Sequence, residues 1–212
     1  MQAIERIITN DSWITLVIVL AIVLLAVMKM LKPTKLYGYS IAFITSGFFH
    51  KRMEERASFF SPFNLLLFFF TTLIISLFLY LTIVAELYTQ SFLSFSGVFF
   101  FVLVYFLVRF LLDYIISHVL GLSSIISYFL YTKSGYLYVL SMWLFPVIIL
   151  YQYTFTNKLF LISSFCVLLI IRAFLILSNN KKLVISKLFY FILYFCTLEI
   201  APLLILYKTT TT

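Results

Sequence analysis

Six runs of nearly continuous apolar residues divide the chain, at about 13–31, 62–85, 97–117, 136–153, 158–177 and 188–207. At ~1.5 Å per residue, runs of this length form helices that match a hydrocarbon layer of about 30 Å. Punctuation between them is chemically specific. Asp11-Ser12 is a plausible N-cap for the first run, and Trp13 stands where an interfacial aromatic anchor belongs. Lys32-Pro33 stops that run, because proline lacks the N–H and its ring clashes with the preceding turn. Ser61-Pro62 opens the second, with proline in a first turn whose N–H would be orphaned anyway.

Two stretches are apolar but too short to cross. Between residues 36 and 60, Ile41 to Phe49 is interrupted by Ser46-Gly47 and flanked by tyrosines, phenylalanines and charges. This pattern predicts a segment lying in the headgroup plane, aromatics down and charges up. Its bland counterpart is a juxtamembrane loop. From His118 to Gly135, the Gly121-Leu122-Ser123-Ser124 interruption predicts a second surface-lying or partly re-entrant piece. The fourth run carries Pro146, and the sixth Pro202, each predicting a kink.

Composition agrees with lipid as the solvent. Of 212 residues, 64% are hydrophobic, 20% aromatic and only 10% charged, with mean hydropathy +1.15. A water-soluble domain of this size could not cover so much apolar surface. The predicted fold class is therefore all-α: one polytopic membrane domain over 1–212, with about six crossings and one or two interfacial helices. Nothing at the N-terminus reads as a cleavable signal, since the first run is span-length and no small-x-small site follows it. Cys166 and Cys196 lie inside apolar runs, make no CxxC or Cys/His cluster, and are expected to be buried structural thiols.

The net charge of +8 sits beside the spans, which makes it a topology signal and argues against nucleic acid as a partner. With the N-terminus outside, the inner flanks receive Lys29, Lys32, Lys35, Lys51, Arg52, Arg56, Lys133, Arg172, Lys181, Lys182 and Lys187. The outer flanks receive only Arg6, Lys158 and Lys208. Six crossings with both termini periplasmic follow from that asymmetry. Lys32, Lys35, His50, Lys51, Arg52 and Arg56 are then placed to meet anionic lipid head groups on the cytoplasmic face.

Charges at membrane depth are the candidate functional residues, because an ionisable group there costs several kcal/mol and needs a partner or a task. There are four: Arg109, Asp113, Arg172 and Glu199. Depth along the spans predicts pairs of Arg109 with Glu199 and of Asp113 with Arg172; Arg109 and Asp113 could instead pair at i, i+4. Such pairs either pin helices in register or form a proton or ion path. No metal-ligand cluster, phosphate-cradling glycine loop or catalytic motif is present in the sequence, and no cofactor or enzymatic activity is expected.

The run Phe189-Tyr190-Phe191-Ile192-Leu193-Tyr194-Phe195-Cys196-Thr197-Leu198-Glu199-Ile200-Ala201-Pro202, continuing to Tyr207-Lys208, resembles the C-terminal signature of an uncharacterised family of multi-pass membrane proteins from Bacteroidota, a domain of unknown function. The resemblance extends over most of the chain and implies the inner membrane of a Gram-negative cell; it assigns no activity. The leading expectation is an accessory or scaffold subunit of an inner-membrane protein complex, serving secretion or envelope biogenesis. The alternatives are a proton- or ion-coupled transporter using Glu199, Arg109, Asp113 and Arg172, and a lipid-modifying enzyme whose Lys51, Arg52 and Arg56 hold phosphate head groups.

Overall fold

A computed structural model of the chain describes residues 12–43, 61–84, 91–119, 123–154 and 157–179. The fold is all-α, with no strand among the described residues. Its helices are α1 (Ser12–Leu31), α2 (Pro33–Ile41), α3 (Pro62–Leu79), α4 (Phe92–Val119), α5 (Ser123–Tyr153) and α6 (Lys158–Asn179). All but the nine-residue α2, five helices among the described residues, are long and apolar enough to cross a membrane. The expected sixth span at 188–207 lies outside the described residues, as does 44–60 of the expected interfacial segment.

The punctuation read from the sequence works as local chemistry. Ser61 is extended (φ −68°, ψ 142°) and its side chain accepts from the Asn64 amide at 3.4 Å, with Pro62 in the first turn of α3. Pro33 both ends α1 and begins α2, leaving Lys32 as a non-helical link at φ −148°, ψ 82°. A serine also caps α4, where Ser91 Oγ accepts from the Ser94 amide at 3.3 Å. The C-terminal end of α3 widens into a π-helical turn, Tyr80–Val84.

Helix α3 is the centre, packed against α1, α4 and α5, while α5 also carries α2 and α6 on its flanks. Of the Pro62–Ile83 stretch 61% is buried, against 6% of Lys158–Ile176, which puts α6 on the periphery. Lipid tails are as apolar as leucine, so this packing is held by van der Waals fit and interhelical hydrogen bonds, with little hydrophobic drive between helices. Bulky side chains supply the fit. Leu67, Phe70, Ile74 and Leu77 of α3 are sealed against Tyr136, Leu140, Leu144 and Ile148 of α5.

Contacts between ends give the alternation of the helices. Trp13 at the start of α1 meets the Tyr80 ring edge-on at 5.0 Å, past the end of α3, and Phe95 near the start of α4 at 5.3 Å. Tyr153 at the end of α5 donates from its hydroxyl to Thr15 Oγ1 at 3.2 Å. Those four helices therefore run up, down, up and down, and α6, following the short link after Tyr153, runs up. An aromatic cluster at one end of the spans is what a membrane interface favours.

Three observations refine the sequence reading. Residues 123–135, expected as part of a separate surface-lying or re-entrant piece, are the first turns of α5, which continues unbroken to Tyr153. An interior glycine such as Gly135 costs a helix only about 1 kcal/mol relative to alanine, too little to break one held by packing. Pro146 lies inside α5, and the helix continues on both sides of it. Cys166 is exposed on the outer surface of α6, contrary to the burial expected of it, because α6 buries just a narrow stripe through Leu161 and Leu168; Cys196 lies outside the described residues.

Candidate functional site

On α4 the inward positions step through Phe95, Phe99, Val102 and Phe106 at spacings of three and four, the seam of a helix packed on one side. Arg109 is the next position of that seam. On α6 the same stepping through Leu161, Phe165 and Leu168 arrives at Arg172, and on α5 the buried series Ile148, Leu144, Leu140 and Tyr136 runs back to Lys133. Each of these cations thus stands where its helix would otherwise continue an apolar seam. All three seams are extended toward the same end of the bundle, the end of α4 and α6 and the first half of α5.

They meet there. Arg109, Lys133 and Arg172 line one cavity of about 60 Å³. Its remaining walls are Phe68 and Thr71 from α3, Phe106 and Phe110 from α4, and Ser134, Leu137 and Tyr138 from α5. Space of this size holds a few waters or one small oxyanion. The Lys133 side chain is only 4% exposed, and both arginines are half-buried. Phe68 and Phe106 close the apolar side with an edge-to-face contact at 6.3 Å.

The α3 wall is fixed from behind. Ser141 Oγ donates to the Tyr138 carbonyl at 2.8 Å, which uses its one proton, so the 2.8 Å bond between Thr71 Oγ1 and Ser141 Oγ has Thr71 as donor. Thr72 and Ser76, also buried on α3, donate to carbonyls of their own helix, Phe68 at 2.9 Å and Leu73 at 2.8 Å. In a bilayer no water would do this for them.

Of the four membrane-depth charges expected to matter, Arg109 and Arg172 are brought to this cavity. Asp113 stands on α4 one turn beyond Arg109, with its side chain outside the described set; Glu199 and Pro202 are outside it too. Lys133 was read as an inner flanking residue, and the signal that places it in the site is the α5 seam, legible once that helix is continued back past Tyr136. Of the expected headgroup contacts, Lys32 links α1 to α2 and Lys35 lies on α2; His50, Lys51, Arg52 and Arg56 are outside the described residues. Helix α2 is pinned against the bundle by Tyr39, which stacks on Phe63 at 6.2 Å and meets Tyr138 at 6.4 Å, and by the Trp143 indole N–H donating to the Ser40 carbonyl at 3.1 Å. Among the described residues no group of His, Cys, Asp or Glu converges as a metal ion requires.

A membrane-embedded all-α chain matched along nearly its whole length to one family settles its kinship. The chain belongs to the family described as domain of unknown function DUF4271, which it matches over residues 14–210. No curated protein and no solved structure shows a significant match to it. The match takes in the described helices from residue 14 onward, the residues that line the cationic cavity and the C-terminal run around Glu199.

Proposed function

We propose that this DUF4271 protein is an accessory subunit of a bacterial inner-membrane complex, a rigid intramembrane platform on which partner membrane proteins assemble, in secretion or envelope biogenesis. The observation that carries this reading is the core around α3. A conducting or alternating carrier needs helices that slide or part about a central site, and small residues that let them. Here the middle of the bundle is sealed by Phe70, Leu77, Tyr136 and Leu144. Helices α4 and α6 turn rows of large side chains outward, among them Phe100, Phe101, Ile170 and Phe174. Such rows suit lateral contacts with lipid and with other spans equally well. In this reading the orientation is the one that keeps the cationic end of the bundle cytoplasmic and the Trp13 end periplasmic.

A carrier is the second reading, favoured by the meeting of Arg109 and Arg172 at one cavity. The two separate by experiment. Purification in mild detergent from native membranes, with quantification of co-purifying proteins, should give a defined partner whose recovery falls when Phe100, Phe101 and Phe174 are replaced together by leucine. Glu199→Gln should leave any substrate flux in proteoliposomes at the protein-free background. Flux above background in the parent protein that Glu199→Gln abolishes, with partner recovery unchanged by the phenylalanine substitutions, would reverse the choice.

A further inference from the structure

Helices α4 and α6 both flank α5, yet they make at most marginal contact with each other. At the Trp13 end they are bridged through α3 and its π-helical turn, where Tyr80 meets Phe95 edge-on at 5.9 Å and Phe78 lies 4.2 Å from Phe165. Toward the cationic end they leave a cleft, with the cavity in its floor. Phe110 lines that cavity and is also 48% exposed, so the cavity reaches the surface of the bundle there. Each of the three cations already has an interaction partner. What remains to be accounted for is the cover over the cleft.

Depth narrows the choice. Counted from the aromatic cluster, Thr71 lies nine residues from Tyr80, Arg172 fourteen from Lys158, Tyr138 fifteen from Tyr153 and Arg109 seventeen from Phe92. At ~1.5 Å per residue these walls stand about 14 to 26 Å along a hydrocarbon layer of about 30 Å. Acyl chains neither donate nor accept hydrogen bonds, so they suit polar walls at that depth badly. The outward faces of α1 and α6 in a second copy would bring mainly apolar side chains.

The run 188–207 has the length, the connection and the polar groups. Eight residues, 180–187, separate it from the end of α6, and links that short join antiparallel neighbours in helical bundles. Returning beside α6, it carries Tyr190, Tyr194, Thr197 and Glu199 seventeen, thirteen, ten and eight residues before Tyr207. Those positions fall about 26 to 12 Å from the Trp13 end, the levels of the cavity walls. A carboxylate among them suits guanidinium neighbours.

We infer that the run 188–207 seats in the cleft between α4 and α6 and closes the cavity from the bilayer. The polar site is then sealed by the chain's own last span, and α6, the helix with the least buried surface, gains a second neighbour. The seat does not rest on the platform reading.

The test is disulfide crosslinking of the full-length protein in native membranes. In a Cys166→Ser/Cys196→Ser background, Phe110→Cys at the cavity rim is paired with cysteines placed singly from Lys187 to Thr197. Oxidation should join it, within one chain, to positions three or four residues apart. The yield should be about tenfold above that obtained when Leu16→Cys, on the outer surface of α1, replaces Phe110→Cys. Where the cysteine pairs disturb folding, photo-crosslinking from p-benzoylphenylalanine in place of Phe110 in the otherwise unaltered chain decides, and its adduct should map to 188–207 of the same chain. No crosslink across the scan, equal yield from Leu16→Cys, or joining only to a second copy, to lipid or to another protein would each overturn the seat.

Discussion

Thr71 and Ser141 share a 2.8 Å hydrogen bond across the α3–α5 interface, with both side chains at 1% exposure or less. Thr71 is also a wall of the cationic cavity, so one bond links the dry core to the charged end. Replacing Thr71 by valine keeps the volume and removes the hydroxyl. Replacing Ser141 by alanine leaves Thr71 its own helix's carbonyls as an alternative acceptor, so Thr71→Val should cost at least as much. A double-mutant cycle read by unfolding in mixed micelles should give a coupling of about 0.6 kcal/mol, the average for hydrogen bonds between membrane helices, and no more than about 1.7 kcal/mol. A coupling near zero would show that the two hydroxyls do not depend on one another.

The contrast between α3 and α6 predicts where the fold tolerates change. Ile74 is fully buried at the heart of α3, whereas Ile170 is exposed on α6. Truncating the first opens a cavity that neighbours cannot collapse into, and Ile74→Ala should cost about 2 kcal/mol or more. Ile170→Ala, which exchanges one lipid contact for another, should stay within about 0.5 kcal/mol. Midpoints of denaturation in the same detergent check both; equal effects would mean that α3 is not the centre of the bundle.

Much of this architecture was legible because lipid imposes simple rules. Span-length runs, the stop at Lys32-Pro33 and the start at Ser61-Pro62 each rest on a local constraint, and each reappears in α1 or α3. Lys133 was hidden because residues 118–135 were read from the Gly121-Leu122-Ser123-Ser124 interruption and a short apolar run, criteria that do not register the seam from Ile148 back through Tyr136. Cys166 was misjudged for a related reason: an apolar run says that a helix is in lipid, and says nothing of which face meets protein. Arg109 and Arg172 were picked out by depth, yet depth pairs charges of opposite sign by preference and gives no hint that two arginines share a cavity. That required knowing that α4 and α6 both flank α5.

Helix α2 is held by contacts far apart in the chain. The Trp143 indole donates to the Ser40 carbonyl at 3.1 Å, and Phe43 stacks on the same indole at 6.4 Å. Trp143→Phe keeps an aromatic face for Phe43 and deletes the donor. The spans should keep their stability, while the backbone around Ser40 exchanges amide hydrogens faster and Lys35 becomes more susceptible to trypsin, each by several-fold. Unchanged exchange at Ser40 would assign the anchoring of α2 to Tyr39 alone.

The alternation of helices, joined to the distribution of charge, predicts which end faces the cytoplasm. Trp13, Tyr80, Phe95 and Tyr153 gather at one end, and Arg109, Lys133 and Arg172 line a cavity toward the other. Moving a basic flank across the bilayer during insertion is unfavourable, so the cationic end is expected on the cytoplasmic side. Thr34, between α1 and α3, and Thr154, between α5 and α6, are both exposed and lie at opposite ends. In a Cys166→Ser/Cys196→Ser background, Thr154→Cys should react with a membrane-impermeant maleimide added to intact spheroplasts, and Thr34→Cys only after lysis. Labelling of both from one side would break the up-down alternation itself. Reversed labelling would keep the bundle but turn it over, placing the three-cation cavity toward the outer face.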